Sequence, residues 1–179
     1  RWVWVVLFLW AAGNSNCPID ENTVTETPFT TGWRYNIDGS RTWEGVRTTQ
    51  RFANNLVGLP NVMHIAALAS TAKRAHYSNY GKGISVTAPS NNLHLYSRVS
   101  VKGLGVTTAT GTGMGITGGF GGTSSATPLV AGIAGLVLSA HPGIGLGDLI
   151  SLLQRTADKD LNFEGYRRTP PASYDPNPS

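Results

Sequence analysis

A single cysteine, Cys17, in 179 residues excludes an internal disulfide and any multi-thiolate metal site. Charged residues are scarce, at 13% of the chain, which sets it apart from coiled coils and solvated disordered segments. The net charge of +4 comes from 14 Lys and Arg placed singly or in pairs, such as Lys73-Arg74 and Arg167-Arg168. No basic run is interleaved with aromatics, so the sequence argues against a nucleic-acid partner. The apolar run Trp2–Trp10 (WVWVVLFLW) is too short to span a bilayer.

Glycine, by contrast, is abundant at 22 residues, and 40% of the chain is apolar. That describes one loop-rich, tightly packed domain, or a substantial piece of one, with room for a core. The chain starts at Arg1 without an initiator Met, as a fragment or a processed form would. Arg1, the apolar run and Ala11-Ala12 imitate a secretory signal. Three tryptophans and a β-branched run favour a buried strand instead, ended by Gly13-Asn14.

The following polar stretch, from about Ser15 to Leu59, reads as extended surface loops. A hairpin is expected near Asn36–Arg41, where Asp38-Gly39 is a turn signal, and a short helix over Arg51–Val57. Val62–Ala69 and Gly83–Pro89 read as interior strands, the second with Ile84, Val86 and Ala88 inward, separated by a turn at Tyr77–Gly81. Gly103–Gly122 is rich in Gly and Thr. Ser125–Ala140 is apolar nearly all round, which predicts a buried central helix stopped by His141-Pro142-Gly143. Leu149, Leu152, Leu153 and Thr156 predict an amphipathic second helix, and the tail from Arg167 resembles a Pro-rich linker. Short strands alternating with helices predict an α/β layer fold.

One motif is a decoy. Gly113–Gly118 matches GxGxxG, but the next acidic residue is Asp148, beyond the central helix, so a dinucleotide site is not expected.

The segment GGTSSATPLVAG, residues 121–132, carries more. A serine at a helix N-terminus meets free backbone N–H groups and the positive dipole end, which favour the charge formed on nucleophilic attack. Preceding glycines admit a substrate backbone, and Pro128 is tolerated in a first turn whose N–H groups have no partner to lose. A plain capped helix would use the same residues. GTSSATP, however, resembles the serine motif of the subtilisin-like serine peptidases. AAGNSN (Ala11–Asn16) resembles that family's AAGN segment. NVMHIAALASTAKRAHYSNYGKGISVTAPS and HPGIGLGDLISLLQRTAD resemble its next strands and its closing helix. The resemblance covers about Val3 to Asp160, with 16–58 aligning poorly.

The resemblance implies a three-layer α/β/α fold with a mainly parallel sheet, incomplete at its N-terminal side. Residues 1–166 would be the C-terminal part of the peptidase domain and 167–179 a linker. Ser124 would be the acyl-forming nucleophile, with Ser125 the variable residue after it. The Asn14 side chain and the Ser124 N–H would hold the oxyanion, and Ala11, Ala12 and Gly13 would form a wall of the substrate cleft. The partner would be a polypeptide substrate, and family precedent implies secretion. No cofactor is required; some relatives bind a structural calcium ion, for which Asp20-Glu21 is a candidate ligand pair, although a solvated acidic loop is the favoured reading of those two residues.

The family's Asp and His lie before the oxyanion Asn, and Asn14 leaves no room for them. His64 sits in an apolar strand, and His76 and His94 beside turns. His141 ends the helix that Ser124 begins, roughly 25 Å away at 1.5 Å per residue. No acidic residue, from Asp20, Glu21, Glu26, Asp38 and Glu44 to Asp158, Asp160 and Glu164, has a recognisable motif around it. The chain alone is therefore expected to be inactive and poorly stable. Two rivals remain at this point: an inactive pseudoprotease or truncated product that keeps a peptide-binding cleft, and a glycine-rich structural protein with Arg1–Ala12 as its signal.

Overall fold

The computed structural model describes residues 6–16, 19, 27–49, 56–93, 101–111, 113, 115–159 and 161. For 27–34 and 41–49 it describes the backbone. The expected helix at 51–57, Cys17, Asp20-Glu21, His94 and the tail from Arg167 lie largely or wholly outside these residues.

Three parallel strands, β1 (Phe8–Ala11), β4 (Val62–Leu68) and β5 (Ile84–Pro89), form a sheet in the order β1-β4-β5. The central strand β4 reads VMHIAAL, and its residues from Met63 to Ala67 are all buried, as expected of a strand covered on both faces. Its register pairs Phe8 with Val62 through Ala11 with Ile65 on one side, and Ile65 with Val86 through Leu68 with Pro89 on the other.

Helices α1 (Thr123–Ala140) and α2 (Leu146–Thr156) complete one side of the core. Met63, Ile65, Ala67 and Ala88 pack there with Val130, Ala134, Leu149 and Leu153, joined by Leu7, Leu9 and Val86. A smaller cluster gathers Ala12, Ile19 and Ala66 with Val57 and Ile84. The expected inward alternation of Ile84, Val86 and Ala88 is thus corrected. A register shift between His64 and Ile65 breaks the period, sending Ile84 to the smaller cluster and Val86 to the main one.

Two further expectations change. The helix starts at Thr123, two residues early, so Pro128 lies inside it rather than in its free first turn. The ring cannot supply the N–H that would bond the Ser124 carbonyl four residues back. Nor is the helix buried all round. Its buried residues, Thr123, Ser125, Ala126, Val130 and Ala134, form one stripe, whereas Ile133 and Leu136 are 51% and 72% exposed. The first strand is likewise half buried. At the edge of the sheet among the described strands, it and the two residues before it turn Leu7 and Leu9 into the core and leave Val6, Phe8 and Trp10 exposed.

The polar stretch contains more regular structure than loops. Strands β2 (Thr27–Tyr35) and β3 (Arg41–Thr49) form an antiparallel ribbon around the turn that Asp38-Gly39 predicted. There Asp38 accepts hydrogen bonds from the Ser40 hydroxyl and N–H, which hold its carboxyl below the usual range. A second ribbon, β6 (Val106–Thr110) with β7 (Gly115–Phe120), leads into α1. The GxGxxG match runs into β7, with no helix opening on it.

Candidate active site

Ser124 is the second residue of α1, exposed, behind the glycine turn 121–122. Gly122 caps the helix at φ +85°, and its carbonyl accepts the Ser125 N–H at 2.9 Å. The Thr123 N–H bonds Asn14. Among the described residues, the Ser124 N–H has no acceptor and stays available to a ligand.

Asn14 follows β1 directly. Its Oδ1 accepts from the Thr123 N–H and from Thr123 Oγ1, both at 2.9 Å. Because both partners donate to that oxygen, the Nδ2 end of the amide must face elsewhere, as a neutral donor. Thr123 Oγ1 also accepts the Gly13 N–H at 3.1 Å, so one hydroxyl ties the end of β1 to the start of α1. Gly13 needs its φ of +103°, and a Cβ there would lie 2.5 Å from Asn79 Nδ2. Ala11 ends β1, and Ala12 is buried with its N–H on the Ile65 carbonyl at 3.0 Å. The structure therefore brings Ala11, Ala12, Gly13, Asn14 and Ser124 to one place, at the C-terminal end of the parallel strands.

The turn at Tyr77–Asn79 is the part of the site that local sequence reading missed. Asn79 Nδ2 donates to the Ala12 carbonyl (2.8 Å), its Oδ1 accepts the Ser15 N–H (3.1 Å), and its own N–H donates to the Gly13 carbonyl (2.9 Å). The Tyr77 hydroxyl accepts the Gly122 N–H at 3.0 Å. Tyr77 Oη and Ser90 Oγ lie 2.8 Å apart, where either can donate; Ser90 also donates to the Gly122 carbonyl at 2.9 Å and Tyr77 to the Asn91 carbonyl at 3.1 Å. Burial pushes the Tyr77 phenol up, against the opposing effect of its hydrogen bonds with Ser90 and Gly122. Polar residues in a turn are the one signal the sequence offers; their partners lie tens of residues away.

No described histidine bonds Ser124. His64 is buried on β4, and desolvation holds its imidazole below the ordinary value. His76 lies in the turn beside Tyr77, and His141 caps the far end of α1. Among the described residues, the buried Ser125 Oγ has no hydrogen-bond partner. Among the described residues no group of three or more His, Cys, Asp or Glu could hold a metal ion.

The parallel sheet and the serine-bearing helix packed on it define an α/β protein of the subtilisin-like class. The sequence matches the Subtilase family, Peptidase_S8, over residues 4–169, and the chain belongs to that family. It is 32% identical over 128 residues to the extracellular basic protease of Dichelobacter nodosus, covering 69% of this chain and 18% of that one. It is also 32% identical over 108 residues to a calcium-dependent protease of Nostoc sp., covering 55% of this chain and 16% of that one. The fold superposes on the crystal structure of a lanthipeptide protease with a TM-score of 0.54 at 22% identity, over 90% of this chain and 45% of that one. The chain thus spans under a fifth of the length of these two curated relatives.

Proposed function

We propose that this chain carries the nucleophile and oxyanion half of an extracellular serine endopeptidase. Ser124 Oγ attacks the peptide carbonyl to form an acyl-enzyme that water then hydrolyses. The Asn14 amide and the Ser124 N–H stabilise the oxyanion, and Ala11-Ala12-Gly13 line the cleft. The observation that carries this reading is the pair of bonds from Thr123 to Asn14 Oδ1, which leaves a neutral donor beside the helix start. The base and its orienting carboxylate come from polypeptide outside this chain, so residues 1–179 alone are inactive. Extracellular location follows the name of the Dichelobacter relative. The name of the Nostoc relative supports a structural calcium ion, with Asp20-Glu21 as the candidate ligand pair to test. A melting temperature lowered by EDTA and restored by calcium tests that part.

Labelling of the full-length protein with a fluorophosphonate tests the nucleophile. Ser124→Ala abolishes labelling and Ser125→Ala retains it; the opposite pattern refutes the assignment. The described residues place no histidine on Ser124, which favours a second reading, an inactive peptide-binding relative. The coding sequence before Arg1 decides between them: D-S/T-G and H-G-S/T motifs support the enzyme, and a start codon there supports the relative.

A further inference from the structure

Two clamps described above grip the two halves of the site, and both come from one turn. On the oxyanion side, residues 77–79 hold four backbone groups that bracket Asn14. Asn79 takes the Ala12 and Gly13 carbonyls and the Ser15 N–H, and the Tyr77 carbonyl accepts the Asn16 N–H at 2.8 Å. On the nucleophile side, Tyr77 Oη takes the Gly122 N–H and, through Ser90, steadies the Gly122 carbonyl. Tyr77, Ser78 and Asn79 are all buried, and Ser78 Oγ accepts the Ala67 N–H at 3.0 Å. The turn is therefore fastened to the central strand as well.

We propose that Tyr77 and Asn79 are positioning residues which set the placement of the Asn14 amide relative to Ser124. This rests on the reading of Ser124 as nucleophile and Asn14 as oxyanion donor. Asn14 reaches the helix by its Oδ1 alone, so its amide plane is fixed at one end, while its backbone can still pivot about Gly13. Asn79 removes that freedom by bonding residues on both sides of it. A donor must sit at hydrogen-bond distance from the oxyanion of the transition state, which a small displacement defeats. The expected signature is a loss in kcat with little change in KM, since the bonds from the Asn79 N–H to the Gly13 carbonyl and from the Ala12 N–H to the Ile65 carbonyl still hold the cleft wall in a side-chain variant.

The test is a double-mutant cycle in the full-length protein, assayed on a peptide substrate. Asn79→Ala should lower kcat about tenfold with KM within about twofold. Asn14→Ala should lower it about 10²–10³-fold. If Asn79 acts through Asn14, the double variant matches Asn14→Ala within about threefold, because the donor that Asn79 positions is already gone. A double variant that loses the full product of the two single effects overturns the proposal, and marks Asn79 as merely structural. Should Asn79→Ala fail to fold, Asn79→Asp keeps the acceptor for Ser15 and drops the donor to Ala12, and the same cycle decides. Tyr77→Phe should lower kcat less than Asn79→Ala, because Asn91 Oδ1 still accepts the Gly122 N–H at 3.2 Å. Hydrolysis that survives Ser124→Ala refutes the underlying reading. Hydrolysis lost in Ser124→Ala but unchanged in Asn79→Ala refutes the positioning role alone.

Discussion

Asn14 and Thr123 lie 109 positions apart and meet through two hydrogen bonds of 2.9 Å on one oxygen. Neither bond is a helix cap in the usual sense, since the acceptor comes from the end of a strand. Together they fix the orientation of the Asn14 amide, with Oδ1 on Thr123 and Nδ2 turned away from it. Asn14→Leu strands the buried Thr123 N–H and hydroxyl, at about 1–3 kcal/mol each, and in full-length protein that still folds should lower kcat about 10²–10³-fold, the range known for losing one such donor in a subtilisin. Steady-state kinetics on a peptide substrate check this; an unchanged kcat would remove Asn14 from the site.

Thr123→Val keeps the shape of the side chain and removes its hydroxyl. The Gly13 N–H then loses its acceptor and Asn14 Oδ1 keeps one donor of two. A buried group stranded in this way costs about 1–3 kcal/mol, which urea unfolding would read as a lower midpoint at constant slope.

Ser125→Ala should behave in the opposite sense. Its Oγ is buried with no partner among the described residues, so the native residue carries a desolvation cost without a bond in return. Removing the oxygen should leave stability unchanged or raise it by about 1 kcal/mol, and fluorophosphonate labelling should persist. A loss of stability would show that the hydroxyl has a partner in the complete enzyme.

His64 gives the protein an acid-sensitive core. Burial lowers its folded pKa below the ordinary 6.5, so the unfolded chain takes up the proton first as pH falls. Stability is complete above that value, declines as pH drops below it, and levels off once the folded imidazole titrates. Urea midpoints measured from about pH 7.5 to 5 should fall in the parent and fall less in His64→Gln. Equal slopes would assign the acid sensitivity to other groups.

The candidate site residues were singled out by motif, since GTSSATP and AAGNSN resemble family segments while a plain capped helix would use the same glycines, serine and proline. The structure brings those two segments together through Asn14 and Thr123. Strands β4 and β5 were legible from short apolar runs. The turn joining β2 and β3 was legible from Asp38-Gly39, but the length of those strands, and β6 and β7 altogether, were not, because Thr, Gly and charged residues give no apolar alternation. Burial of α1 was overestimated, since apolar composition cannot say which face finds a partner. Tyr77 and Asn79 were invisible as site residues because their bonds are tertiary.

That excess apolar surface yields the last prediction. Ile133 and Leu136 on α1, Phe8 and Trp10 on β1 and Val6 just before it are 48–72% exposed, and β1 is also an unpaired sheet edge among the described strands. A monomer seldom leaves such surface open, and an open edge pairs with other strands. Residues 1–179 expressed alone should bind the dye ANS strongly and scatter light as oligomers at micromolar concentration. Ile133→Lys with Leu136→Lys should reduce both signals, because neither side chain supports the buried stripe through Ala126, Val130 and Ala134. The full-length enzyme should show neither signal if its remaining polypeptide covers these faces. A monodisperse, ANS-dark chain would mean that residues within 1–179 already cover them.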